Sequence, residues 1–340
     1  MSTDTLLLVL VVVAGLLFDL MNGFHDGCNA VSTVIYTGAL KPRVAIALSA
    51  CFNLVGPLVM GIAVAETIGG VVKAQDATAH LVIAALFGAL VWDFVTWIRA
   101  LPVSSSHALV GGLIGAGLAA LGPEGINWSK VGLVFAALLI SPVLGLGTGL
   151  FFMKASKFLL RLIKLDLDRA DRFYRRMQVL SCSWVSFSHG SNDATKVMGI
   201  ITIMLAARVN MNVEEYVAIN GIPFWVIGSA AAAMSLGTYL DYKSFRIIRT
   251  LGERLTHLHP VNGFSAEVGG ALVIQVASLL GMPVSTTHVI TSSVTGTGLA
   301  SGLSAVSWKV FRSILLAWGV TLPFCGIVAA LTYYVLELFL

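Results

Sequence analysis

Long apolar runs set the pattern of this chain. Positions 5–18, 131–140 and 313–336 contain no charged residue and do not alternate between apolar and polar side chains. Alternation every second residue is the mark of a membrane barrel strand, whereas continuous runs of this kind read as helices. With windows of roughly 20 residues, the length that spans a bilayer core as a helix, ten candidate segments emerge. They lie at about 5–37, 44–66, 80–98, 103–120, 129–153, 178–205, 220–240, 264–281, 283–300 and 309–338. The first is too long for one straight span, and polar residues interrupt it from Asn22 onward. Segments 80–98 and 103–120 read either as two spans or as a re-entrant hairpin with its tip near 101–106. Arg99 reaches the cytoplasm in the first case and is buried in the second.

Composition supports the membrane reading. Of 340 residues, 57% are hydrophobic and 11% charged, with a mean hydropathy of +0.90. A soluble domain of this size cannot hide so much apolar surface. In lipid the backbone must satisfy itself, which leaves helices and closed barrels. No positive charge precedes the first run, so that segment is expected to stay as a membrane helix rather than be cleaved as a signal. Four cysteines, Cys28, Cys51, Cys182 and Cys325, lie far apart in apolar segments and read as buried free thiols. A net charge of +4 gives no reason to expect nucleic acid.

Charge sets the orientation. The stretch 154–176 holds Lys154, Lys157, Arg161, Lys164, Arg169, Arg172, Arg175 and Arg176. By the positive-inside rule it is cytoplasmic, as are 243–254 and Lys41 with Arg43. Both termini then lie outside, and the first half needs five crossings.

Three polar patches occur twice, in the same order. Gly23-Phe24-His25-Asp26-Gly27-Cys28-Asn29 answers Gly190-Ser191-Asn192-Asp193-Ala194-Thr195-Lys196. Leu101-Pro102-Val103-Ser104-Ser105-Ser106-His107 answers Met282-Pro283-Val284-Ser285-Thr286-Thr287-His288. Trp128 with Pro142 and Gly145 answers Trp308 with Pro323 and Gly326. An odd number of crossings per half turns the second half upside down. The expected fold is therefore an all-α integral membrane protein of about ten transmembrane or hairpin segments, in two inverted repeats with broken helices. Such repeats build many secondary transporters around a midplane site. The expected division is a first repeat at 1–156, a basic cytoplasmic linker at 157–177 and a second repeat at 178–340.

The patches carry the candidate chemistry. A charge at the bilayer centre costs at least ~2.5–3.5 kcal/mol on insertion scales, so Asp26 and Asp193 need a reason to be there. Flanking glycines would permit unwinding. Asn22, Asp26, Asn29 and Thr33 share one helix face, as do Ser186, His189, Asp193 and Lys196. Carboxylates beside Asn29 and Asn192 offer oxygens to a coupling cation or a site for a proton. Asp26 and Asp193 are the candidate sodium ligands if sodium is that cation. The plain structural alternative is an interhelical hydrogen bond that locks the bundle. In the Pro-Val-Ser patches, proline suits a helix start. Ser104, Ser105 and Ser106, with Ser285, Thr286 and Thr287, then offer hydroxyls and free N–H groups, a natural cradle for an oxyanion. Ordinary helix capping is the alternative. His25, His107, His189, His288, Asn22 and Lys196 are secondary candidates, as is Glu267 at a segment start. Asp93 and Arg99 read as structural or interfacial.

These residues together resemble the inorganic phosphate transporter family often called Pit. The resemblance covers almost the whole chain. It rests on Phe18-Asp19-Leu20-Met21-Asn22-Gly23-Phe24-His25-Asp26, Ser188-His189-Gly190-Ser191-Asn192-Asp193, Gly263-Phe264-Ser265-Ala266-Glu267 and both Pro-Val-Ser patches. It implies cation-driven phosphate uptake across the cytoplasmic membrane, with Asp26 and Asp193 near coupling ions and the Ser/Thr patches at phosphate. The first half departs from the family's Gly-Ala-Asn-Asp-Val-Ala-Asn pattern, and the second ends in Lys196 where the family has Asn. The anion therefore stays open between phosphate and sulfate, and the cation between proton and sodium. Lys196, on the same face as Asp193, could neutralise that acid and favour proton coupling. No cofactor is expected beyond a sodium ion in the coupling role. A homo-oligomer in membrane lipid is expected. Rival readings are a sodium–dicarboxylate carrier or sodium–proton exchanger, a Ser/His membrane hydrolase, and a non-transporting receptor. The hydrolase lacks an evident third group beside Ser104 and His107, so no enzyme is expected.

Overall fold

The computed structural model describes residues 3–164, 166–241 and 245–339, and the side chains of 5–164, 166–241 and 247–339. The described residues form helices and turns with two isolated β-bridges and no strand. The helices are α1 (Thr3–Tyr36), α2 (Pro42–Val59), α3 (Ala63–Gly69), α4 (Ala79–Arg99), α5 (Ser105–Leu121), α6 (Trp128–Ile163), α7 (Leu167–Ala207), α8 (Val213–Asn220), α9 (Phe224–Leu240), α10 (Phe245–Arg249), α11 (Pro260–Leu279), α12 (Thr286–Leu299) and α13 (Trp308–Phe339).

By length and apolar content, α1, α2, α4, α6 and α13 can each cross a membrane among the described residues. A sixth span results if α8 and α9, bent by 112° at their junction, act as one. Exposed Leu139, Val143, Phe151, Leu316, Ile327 and Leu331 give α6 and α13 lipid-compatible faces. The helices α7 and α11 are long enough to span but are polar where other helices shield them, and α12, at 14 residues, is short as well as polar. Residues 188–204 of α7 and 286–298 of α12 are buried without a gap. A helix surrounded by protein does not need an apolar surface.

Two helical hairpins dominate the middle of the molecule. α4 ends at Ala100, in the left-handed region at φ 55°, and Pro102 follows. α11 is followed by Gly281, at φ 67°, and then Pro283. A left-handed residue closes a helix, and proline prevents its return. The chain then restarts as α5 and α12, each opened by a serine N-cap. Arg99 is exposed beside the first tip. Each hairpin packs on the long helix of the opposite half of the sequence: α4 and α5 on α13, α11 and α12 on α6. Trp128 and Trp308 open those long helices, and each indole donates to a carbonyl five residues back, at 3.0 Å.

Four expectations need correction. Cys51 is exposed on α2, whereas Cys28, Cys182 and Cys325 are buried as expected. The second segment, placed at 44–66, ends as a helix at Val59, and α3 begins at Ala63. The basic stretch is mostly helical rather than a loop: α6 extends to Ile163, with Lys164 at φ 48°, and α7 begins at Leu167. Nor is the backbone broken around Asp26 and Asp193, for α1 and α7 continue through both. The glycines there serve close approach instead. A Cβ on Gly23 would lie 2.1 Å from the Met234 carbonyl oxygen, and one on Gly190 would lie 2.5 Å from that of Asn53. The absence of a side chain lets α9 press against α1 and α2 against α7. The actual breaks are at the hairpin tips.

Candidate functional site

The continuous helices α1 and α7 each carry one buried acid toward the hairpin tips. Asp26 is 1% exposed and Asp193 0%. Ser105 Oγ, in the first turn of α5, donates to Asp26 Oδ2 at 2.9 Å. Thr286 Oγ1, in the first turn of α12, donates to Asp193 Oδ2 at 3.1 Å. Each tip therefore presents a hydroxyl to the acid of its own half. Asn29 Nδ2 donates to Thr287 Oγ1 at 2.8 Å, joining α1 to the other half's tip. The tips touch each other through Ser106 Oγ, which donates to the Val284 carbonyl at 3.0 Å.

The nitrogen partners differ between the halves. His25 Nδ1 lies 2.7 Å from Asp26 Oδ1, and its Nε2 lies 3.4 Å from Thr96 Oγ1 on α4. Asp193 has two partners on its own helix. Lys196 Nζ makes a short ion pair with Oδ1, and His189 Nε2 lies 3.3 Å from Oδ2. His189 Nδ1 reaches Asn53 Oδ1 at 3.1 Å. Lys196 Nζ also donates to Ser106 Oγ at 2.5 Å and to the Val284 carbonyl at 3.3 Å.

The remaining candidates fall into three places. Ser104 and Ser285 cap α5 and α12, accepting from the His107 and His288 amides at 3.1 and 3.2 Å. The rings of His107 and His288 lie 4.5 Å apart between the tips, and His288 stacks on Trp318 at 3.5 Å. Asn192 Nδ2 holds the second hairpin by Ser278 Oγ at 2.9 Å and the Met282 carbonyl at 3.4 Å. Asn22 is 1% exposed, and neither of its amide atoms has a hydrogen-bond partner among the described residues. Glu267 belongs to a separate cluster. Thr33 Oγ1 donates to it at 2.5 Å, Gln178 Nε2 at 3.2 Å, and Ser181 Oγ over a short contact. It is 2% exposed and enclosed by protein.

Two acids escaped the sequence reading. Asp93 was expected to be structural or interfacial, yet it is fully buried on α4 and faces the His25–Asp26 pair electrostatically. Asp19 is fully buried on α1, within electrostatic reach of Asp193 and Lys196. Neither oxygen of either acid has a hydrogen-bond partner among the described residues. Asp19 did carry a signal, since it precedes Asp26 by two helical turns on one face. Asp93, alone between aromatic residues, carried none. Among the described residues, no group of three or more His, Cys, Asp or Glu side chains is arranged to hold a metal ion.

In chemical terms the site gathers carboxylates, hydroxyls, amides and one ammonium in protein-enclosed surroundings. Hydroxyl donors at two helix starts suit an oxyanion. Asp19, Asp26, Asp93 and Asp193 face a single ammonium, so that set is net acidic unless protons or cations share it.

Comparison with known proteins identifies the family. Residues 22–329 match the sequence profile of the phosphate transporter family. A protein of Rhizobium meliloti named "probable low-affinity inorganic phosphate transporter" is 39% identical over 98% of this chain and 97% of that protein. One of the same name from Bacillus subtilis is 36% identical over 98% of each. A third, from Mycobacterium bovis, is 43% identical over 98% of this chain and 78% of that protein. A solved structure described as "The sodium-dependent phosphate transporter" has a TM-score of 0.83 at 25% identity, covering 98% of this chain and 100% of that one. The family consists of transporters rather than enzymes. By profile match and by relatives that span nearly its whole length, the chain belongs to the phosphate transporter family.

Proposed function

We propose that this chain carries inorganic phosphate across the cytoplasmic membrane, driven by a cation gradient, of protons or sodium. The two halves, 1–156 and 178–340, act as inverted repeats joined by a basic cytoplasmic connection at 157–177, with ten membrane or hairpin segments. Alternating access exposes the site between them to each side in turn. The observation that carries this reading is the meeting of both hydroxyl-bearing helix starts with both buried acids in one place.

The hydrogen bonds suggest how cation and anion are coupled. Ser105 and Thr286 spend their hydroxyl protons on Asp26 and Asp193. The same hydroxyls are the donors an oxyanion needs. A proton or cation that satisfies either carboxylate frees its hydroxyl for phosphate and lowers the negative charge that would repel the anion. Ser106 and Thr287 add further hydroxyls, and Asn29 and Asn192 add amides that orient the tips. Because the donors to the anion are neutral, phosphate is held and still released.

Uptake of labelled phosphate into proteoliposomes under imposed gradients tests the proposal. The expected result is accumulation that requires a cation gradient, with competition by phosphate and arsenate stronger than by sulfate or succinate. Stronger competition by sulfate would make the chain a sulfate permease of the same family, and competition by succinate would favour a dicarboxylate carrier.

A further inference from the structure

The surroundings of Lys196 are those of a bound metal cation rather than of an ordinary salt-bridged lysine. Its ammonium contacts three oxygens from three separate elements. These are the Asp193 carboxylate on α7, the Ser106 hydroxyl on α5 and the Val284 main-chain carbonyl before α12. Carboxylate, hydroxyl and carbonyl oxygens together are the donor set that hard, small cations select. An ammonium has three N–H donors, and these three oxygens match that number. The side chain is 1% exposed and among the largest fully buried ones in the molecule. The nitrogen also sits where the two hairpin tips touch, since Ser106 donates to the same Val284 carbonyl.

We propose that Lys196 is a built-in cation of the transport site, its tethered ammonium filling the position beside Asp193 that a bound coupling ion would otherwise take. This rests on the transport function proposed above and sharpens it. A tethered ammonium neutralises Asp193 in every step of the cycle and cannot be carried across. The second half then needs no exchangeable cation, and coupling is left to a proton in the first half, where Asp26 faces His25. The other charged or titratable groups around the ammonium are His189 on α7, Asp19 on α1 and His107 on α5.

The test is phosphate uptake in proteoliposomes at one fixed pH and membrane potential, with sodium present or replaced by N-methylglucamine. Wild-type uptake should be unchanged by sodium removal. Lys196→Gln should lose roughly tenfold or more without sodium, because Asp193 is left buried without its partner, and added sodium should restore part of the loss. Lys196→Arg should keep its independence of sodium. A merely structural lysine would lower uptake equally in both media. Sodium-insensitive loss in Lys196→Gln therefore overturns the proposal, as does full sodium-free activity in that variant. Where that variant fails to reach the membrane, the wild type decides alone: unchanged uptake supports the proposal and lost uptake overturns it. Sodium-dependent phosphate uptake by the wild type removes only this proposal. The absence of phosphate uptake in every gradient removes the transport reading together with it.

Discussion

Asp26 and Asp193 occupy matching places in the two halves, and the contrast between them is the most instructive feature of the site. Both are buried, both lie on an unbroken helix, and both accept from a hydroxyl in the first turn of a hairpin helix. Their nitrogen partners differ. Asp26 has the adjacent imidazole of His25. Asp193 has the ammonium of Lys196 and the imidazole of His189. An imidazole meets its acid through a single ring nitrogen, whereas an ammonium has three N–H donors and ties Asp193 to Ser106 and Val284 as well. The frame of the site is alike at the two acids, while their nitrogen partners are not.

Removing Asp193 gives the largest expected effect. Asp193→Asn leaves the Lys196 ammonium buried without its carboxylate, and breaking a buried pair from one side costs about 3–5 kcal/mol. Uptake should fall by roughly 100-fold or more, and thermal unfolding of the purified protein in detergent should shift down clearly. Adding Lys196→Met to Asp193→Asn should restore much of the stability, since both charges are then gone, without restoring uptake. Equal stability of the single and double variants would remove the ion pair from the comparison.

Removing Asp26 should do less to stability, and that difference is the sharpest test of the contrast. In Asp26→Asn, His25 can become neutral, so no charge is stranded. The expected cost is about 1–3 kcal/mol, that of an unsatisfied buried group. Uptake should still fall by roughly tenfold or more, because an amide can still accept from Ser105 but cannot take up the proton or cation that frees that hydroxyl. If Asp26→Asn destabilises the protein as much as Asp193→Asn in the same unfolding assay, the two ends are electrostatically alike and the comparison breaks.

Much of this site was legible before any coordinates. The cost of acids and clustered hydroxyls in apolar segments makes them conspicuous, and their repetition in order marked both acids and both hairpin tips. Helix continuity was not legible. Glycines at Gly23 and Gly190 are compatible with either unwinding or close packing, and only the facing carbonyls of Met234 and Asn53 decide between them. Nor could the sequence give partners across long separations. Asn53 for His189, and Gln178 and Ser181 for Glu267, lie on other helices with no local spacing to announce them. Apolar content alone also misses α7 and α11 as long helices of the bundle, because other helices take the place of lipid around their polar stretches.

The smallest expected effect comes from the two capping serines, where the halves should behave alike. Ser104 and Ser285 each accept one amide hydrogen bond, at 3.1 and 3.2 Å, and neither contact involves a charge. Loss of an N-cap costs typically about 1 kcal/mol. Ser104→Ala and Ser285→Ala should therefore each lower stability by about that amount and uptake by roughly fivefold, as each loosens a tip without removing the hydroxyl that meets an acid. The informative quantity is the ratio of the two effects. Near-equal losses would confine the asymmetry to the nitrogen partners of the acids. A difference of about tenfold in uptake, roughly 1.4 kcal/mol, would mean that the tips have diverged as well. The asymmetry would then begin in the geometry that delivers the hydroxyls, before any charge is involved.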